Sequence, residues 1–146
     1  MSWEHEPWQA DLLETTRHLV RLRQEHPVLR QRSFFSGRQV HEDGSTDLAW
    51  FGTDGVQMGD RWGASSSEVV QALYDGAWIG QRTVLLSLNG SAHDVEVTLP
   101  TAPSATAYEL LWDSDDDVPA PPGGPVEAGT SVWMAPSSMR VWRATS

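Results

Sequence analysis

The arrangement most like a metal-binding loop is a run of three alternate carboxylates, Asp113, Asp115 and Asp117. Carboxylate oxygens are the ligands that Ca²⁺ prefers. An EF-hand loop starting at the first of them needs Gly at its sixth position and Glu at its twelfth, where this sequence has Val118 and Gly124. We therefore expect a charged connection followed by a stiff proline-rich segment over 119–125, with no metal site and no cofactor.

The other residue types that do chemistry are scattered along the chain. The five histidines contain no i, i+4 pair: His5, His18, His26, His41 and His93. The serines lack the G-x-S-x-G context of an activated nucleophile. The absence of cysteine excludes disulfides, thiolate zinc sites and thiol catalysis. None of these patterns predicts a catalytic group.

Eight tryptophans are the unusual feature of the composition: Trp3, Trp8, Trp50, Trp62, Trp78, Trp112, Trp133 and Trp142. Flat aromatic side chains either fill cores or stack on ligands such as sugar rings. Four of them lie in predicted strands, where core packing is favoured: Trp50, Trp112, Trp133 and Trp142. Trp62 and Trp78 fall near predicted loops, so we name these two as candidates for stacking on a sugar.

Length and charge narrow the class of protein. The 146 residues suffice for one ordinary domain, and the net charge of −10 argues against a nucleic acid or an anionic membrane as partner. No apolar run approaches the roughly 18 residues that a membrane span needs. The first residues are too acidic for a signal peptide, so we expect a cytoplasmic location.

One amphipathic helix is predicted over Asp11 to His26. Asp11 can cap it, with Glu14 three residues later, and Pro27 ends it. The apolar half of the helical wheel carries Leu12, Leu13, Thr16, Leu19, Val20 and Leu22. Arg23 also projects from this half, where a guanidinium needs a carboxylate or carbonyls.

The rest of the chain shows short alternating apolar runs between turn signals, which predict strands. These runs are Leu48–Gly52, Val69–Tyr74, Thr83–Leu88, His93–Leu99, Tyr108–Trp112, Ser131–Ala135 and Met139–Arg143. Two stretches, 59–68 and 113–129, are predicted to be irregular. The fold class is therefore mainly β: an antiparallel β-sandwich of about eight short strands with one N-terminal amphipathic α-helix.

Several segments carry a family resemblance. They are Leu19–Pro27 (LVRLRQEHP), Arg30–Arg38, Asp47–Phe51, Asp54–Met58 with Trp62, and, towards the end, Leu88-Asn89, Leu99-Pro100, Leu110–Asp113 and Ser138. In order and spacing the segments up to Trp62 resemble the last barrel helix and the following stretch of bacterial glycogen debranching enzymes, the isoamylase-like group of the α-amylase superfamily. The later segments resemble the C-terminal β domain of that superfamily more generally. The Ser-rich stretch 59–68 departs from that pattern.

The resemblance implies that catalysis belongs to a region other than those in this chain. Family members have a catalytic (β/α)8 barrel that hydrolyses α-1,6-glucosidic branch links, and their catalytic carboxylates lie in that barrel, so none is carried onto this chain. Residues 1–30 would be the end of the barrel and 31–146 the sandwich domain. Trp3 and Trp8 would be buried against the barrel.

Three hypotheses stay open at this point. The chain is a non-catalytic domain that braces a barrel in cis or in trans, through the docking candidates Leu12, Leu19, Val20 and Arg23. Alternatively, it is an independent glucan-binding module that uses exposed tryptophans. As a third possibility, it is an interaction domain whose helix docks on a separately encoded partner.

Overall fold

The computed structural model describes residues 6–63, 68–115 and 124–145. Within these ranges the chain has one α-helix, α1 (Pro7–Glu25), and eight strands. The strands are β1 (Leu48–Phe51), β2 (Val69–Tyr74), β3 (Val84–Asn89), β4 (Val95–Thr98), β5 (Ala107–Asp113), β6 (Val126–Glu127), β7 (Ser131–Met134) and β8 (Ser138–Thr145).

Helix α1 begins earlier than predicted. Glu6 caps it, Pro7 occupies the first turn, and the Glu6 amide donates to Oε1 of Gln9 at 2.9 Å. The prediction of Asp11 as the cap was wrong because proline already has the φ angle that a first helical turn requires. The helix ends as expected just before Pro27. No helix among the described residues is long and apolar enough to cross a membrane.

The strands form two antiparallel sheets, which confirms the predicted fold class. The larger has six strands in the order β1-β2-β3-β8-β5-β6, and the smaller pairs β4 with β7. The prediction of irregular structure over 113–129 was wrong at both ends. Asp113 closes β5, and Val126 and Glu127 pair with Tyr108 and Ala107.

The central strands of the six-stranded sheet bury side chains on both faces. Neighbouring residues of a strand point to opposite faces, and Val84 and Leu85 in β3 are both fully buried, in different clusters. We call the side of Leu85 the inner face. Its cluster includes Tyr108 and Trp142, and the β4–β7 pair covers it through Val132. We call the side of Val84 the helix face, because Leu22 of α1 packs there.

A buried amide joins the two sheets. Gln71 in β2 is 0% exposed, and its Nε2 donates to the carbonyls of Gly52 at 3.0 Å and Thr98 at 2.8 Å. Its Oε1 accepts from the Ser87 hydroxyl at 3.2 Å. A buried polar side chain must be satisfied in this way, so these bonds fix the position of β4 over β2.

Tyr108 supplies the first testable consequence of the core. Its hydroxyl donates to the Pro100 carbonyl at 2.8 Å, and burial raises its pKa above the ordinary value. Tyr108→Phe should cost about 1–2 kcal/mol at pH 7, because the buried carbonyl loses its donor. Urea unfolding followed by tryptophan fluorescence measures this loss.

The free energy of unfolding measured above pH 10 provides a control for that variant. Since the folded pKa of Tyr108 lies above the unfolded value of about 10, its contribution is complete below pH ~10 and falls as the pH rises further. Stability should therefore decline less steeply above pH 10 in the variant than in the wild type. Parallel pH curves would contradict this assignment.

Candidate functional site

The apolar surface of α1 is mostly uncovered. Only Leu22, near its C-terminal end, is buried, and Leu19 is half-buried. Leu12 is 57% exposed and Val20 is 50% exposed. Trp8 and Leu13 on the same helix are also exposed. The helix thus carries an apolar surface that the described residues do not bury.

Arg23 does not need the buried partner that its place on the helical wheel suggested. The residue is exposed, and its guanidinium makes no hydrogen bond within the described ranges. The surrounding segment is nevertheless basic: residues 7–38 contain six arginines and three carboxylates. Residues 39–146 contain four arginines and fifteen carboxylates. The helix end and the β body therefore carry opposite charge.

A second uncovered apolar patch lies on the helix face of the sheet. Trp50 in edge strand β1 pairs with Ala72, which in turn pairs with Leu86, so its side chain shares the face of Val84. Trp62 packs edge-on against Trp50, with ring centroids 5.7 Å apart. Leu88 on the same face is also exposed. The patch and the open side of α1 therefore lie on one side of the domain.

The tryptophans divide differently from the sequence prediction. Trp142 is fully buried and Trp112 packs half-buried on the helix face. The core prediction was wrong for Trp50 and Trp133, which are 37% and 60% exposed. The missed signal for Trp133 is its alternation with Val132 and Met134 along β7, which places it on the opposite face.

The two sugar-contact candidates are both exposed, in separate short turns. Trp62 lies in the 3₁₀ turn Gly59–Gly63, beside Trp50. Trp78 lies in the 3₁₀ turn Ala77–Ile79, between β2 and β3. Contact of either indole with a sugar stays a prediction.

Asp113 serves a structural role. Its Oδ2 accepts from Nε of Arg140 at 2.6 Å, and the Arg140 side chain is only 2% exposed. The Arg140 Nη1 also donates to the Trp133 carbonyl at 2.6 Å. Asp117, the third member of the aspartate run, lies outside the described residues. Among the described residues no three ligating side chains gather into a metal site.

A cleft of about 240 Å³ between β1 and the 101–104 loop holds two further carboxylates. Asp75 accepts from the Ala77 amide at 2.8 Å and contacts His41 Nε2 at 3.0 Å. Asp43 accepts from the Ser45 hydroxyl and amide, and these bonds lower its pKa. The proton donor in glycoside hydrolysis needs a raised pKa, so Asp43 is tuned in the opposite direction.

Fold and surface together define a class: an antiparallel β domain, preceded by a helix whose apolar side the described residues leave largely uncovered. No protein-family model matches the sequence. Curated proteins do match it. The chain is 32% identical over 130 residues, 81% of its length, to a glycogen operon protein GlgX homolog of Mycobacterium tuberculosis.

Two isoamylases are also similar to the chain. The isoamylase of Pseudomonas amyloderamosa is 27% identical over 132 residues, 89% of this chain, and that of Flavobacterium sp. is 25% identical over 116 residues. The chain spans only 18% of the GlgX homolog and 15% of each isoamylase. It is homologous to the C-terminal region of these isoamylase-like glycogen debranching proteins, and the resemblance drawn from its sequence is confirmed.

Proposed function

We propose that this chain acts in the cytoplasm as the non-catalytic C-terminal domain of a glycogen debranching enzyme and braces a catalytic (β/α)8 barrel. The barrel, in cis or in trans, would hydrolyse α-1,6-glucosidic branch links. The uncovered apolar side of α1 carries this proposal. The names of the relatives, glycogen operon protein and isoamylase, support the reaction.

The proposed docking surface consists of two parts on the helix-face side of the domain. The first is the exposed side of α1 around Leu12 and Val20, and the second is the Trp50–Trp62 patch on the helix face. A stable amphipathic helix buries its apolar stripe, and an open patch of this kind marks an interaction site. The basic helix segment favours a partner with an acidic rim.

The proposal is tested by co-expressing the chain with the M. tuberculosis GlgX homolog truncated before its own C-terminal region. The wild-type chain should co-elute with this barrel at equal stoichiometry and raise its debranching of glycogen. The double variant Leu12→Asp/Val20→Asp should bind at least ~10-fold more weakly, because two carboxylates would lose water in an apolar contact.

Ala92→Asp provides the matched control, since Ala92 is exposed and lies far along the chain, in the connection after β3. This variant should co-elute like the wild type. Equal binding by the helix variant and the control would overturn the docking surface. Binding of the chain to unrelated proteins in place of the barrel would favour the separately encoded partner.

A second function, glucan binding by the domain itself, is favoured by the exposed indoles. Trp62 and Trp78 remain candidates for it. Trp62, however, belongs to the proposed docking surface and would be covered in the whole enzyme.

A further inference from the structure

Trp133 is an exposed indole that lies outside the proposed docking surface. It lies on β7, in the two-stranded sheet that packs on the inner face, whereas α1 and the Trp50–Trp62 patch are on the helix face. The inward side of this pair carries Val97 and Met134, both buried. Trp133 points the other way and is 60% exposed. A barrel bound at α1 leaves it open to solvent.

The residues around Trp133 can all form hydrogen bonds. Glu96 of β4 is its direct cross-strand partner and is exposed. The next pair on the same face is Thr98 and Ser131, whose hydroxyl oxygens lie 3.0 Å apart. Since alternate residues share one face of a strand, an indole, a carboxylate and two hydroxyls form one flat surface. We call these four residues the outer ribbon face.

The backbone beneath the indole is fixed before any ligand arrives. The Trp133 carbonyl accepts from Nη1 of buried Arg140, and Asp113 holds that guanidinium from the other side. A rigid platform loses little conformational entropy on binding, and an aromatic side chain has few rotamers to lose. The backbone that carries the exposed indole is therefore preorganised.

The chemistry of this surface selects its ligand. The buried core of a protein interface is depleted of charged residues, whereas the indole here is bordered by Glu96 and two hydroxyl groups. An anion would be repelled by Glu96 and by the acidic β body. A neutral pyranose fits, because one of its faces consists of C–H groups that stack on an indole while its hydroxyls lie at the edge.

We propose that the outer ribbon face binds the pyranose rings of an α-glucan chain, an inference that rests on the proposed function for its choice of sugar. Trp133 stacks on one ring. Glu96 accepts hydrogen bonds from sugar hydroxyls, and Thr98 and Ser131 exchange them with the same or the neighbouring ring. The domain then holds a branch of the substrate while the barrel acts on another part.

The test is affinity electrophoresis of the full 146-residue chain in gels with and without glycogen, and titration with maltoheptaose followed by tryptophan fluorescence. Wild type should be retarded by glycogen. Trp133→Ala should bind at least ~10-fold more weakly, Trp133→Tyr should retain part of the affinity, and Glu96→Gln should lie between wild type and Trp133→Ala. Phe34→Ala is the matched control, because Phe34 is a fully exposed aromatic residue outside the outer ribbon face, and it should be retarded like wild type.

Either of two results overturns the proposal: a wild-type chain that glycogen does not retard, or retardation that persists in Trp133→Ala. Because Trp133 is exposed, its variants should keep the wild-type circular dichroism and melting curve. The barrel co-elution experiment reports on α1 instead, and Trp133→Ala should pass it unchanged. Failure of glucan binding is therefore distinguishable from failure of the docking proposal.

Discussion

Replacement of Asp113 by alanine should lower the free energy of unfolding by about 3–5 kcal/mol at pH 7. The Arg140 guanidinium that it partners is 2% exposed and cannot reach bulk water without moving out of the inner face. The variant leaves this positive charge buried and unpaired, with the Trp133 carbonyl as its remaining acceptor. Since a domain of this size has a total stability of about 5–15 kcal/mol, much of it would be lost.

Urea unfolding monitored by tryptophan fluorescence measures this loss. Asp54→Ala is the matched control, because Asp54 pairs with Arg61 at 2.8 Å and both side chains are about half exposed. Exposed ion pairs are screened by water and salt, so the control should change stability by a small fraction of the Asp113 effect. Comparable losses in the two variants would show that Arg140 is not held as described.

The second large effect is expected from Asn89→Asp, at the end of β3. Asn89 is 2% exposed, and its Nδ2 donates to the carbonyls of His93 at 3.1 Å, Met134 at 3.4 Å and Ala135 at 2.7 Å. Its Oδ1 accepts from the amide and hydroxyl of Ser91. A carboxylate there would direct a negative oxygen at three carbonyl oxygens. We expect a loss of about 3–5 kcal/mol at pH 7, as for other buried unpaired charges.

The pH dependence of the loss in stability shows whether the charge of the new carboxylate or the loss of the amide hydrogen bonds causes it. The introduced carboxyl would have a folded pKa raised above its unfolded value of about 3.9, so the variant is least destabilised below pH ~4 and loses stability as the pH rises. Gln81→Glu makes the same chemical change at an exposed position and should show little loss at any pH. If Asn89→Asp lowered the free energy of unfolding equally at pH 4 and pH 8, the loss would come from the lost amide hydrogen bonds and not from the charge.

Local pattern was enough to find most of the strands. The boundaries predicted for β2 are those of the structure, and β4 has the alternation expected of Val95 and Val97. Alternation is a local property, because successive side chains of a strand point to opposite faces. The short β6 was missed because two residues that pair only through tertiary contact have no periodic signal.

The misplacement of Trp50 has a different cause. Trp50 and Trp142 both lie in apolar strands, yet one is at a sheet edge and the other in a central strand. Strand order and the covering layer decide burial, and neither can be read from a window of sequence. The role of Arg140 was hidden for the same reason, since Asp113 is 27 residues away along the chain.

Helix α1 shows the limit of amphipathic periodicity. The pattern predicted an apolar half and the structure has one, but only Leu22 is buried by the described residues. Amphipathic periodicity indicates that a helix has an apolar side. It does not indicate which residues, in this chain or another, would bury that side. The division of the chain at residue 30 accordingly stays a prediction.

The separation of charge between the basic helix segment and the acidic β body makes the domain an electrical dipole. A dipole experiences torque in the field of another charged body at distances near the Debye length, about 8 Å at physiological ionic strength. A partner with an acidic rim would rotate the incoming domain helix-first before any side chains touch. In the proposed assembly, the charge pattern would govern the speed and orientation of association, while the apolar contacts would govern how long the assembled pair persists.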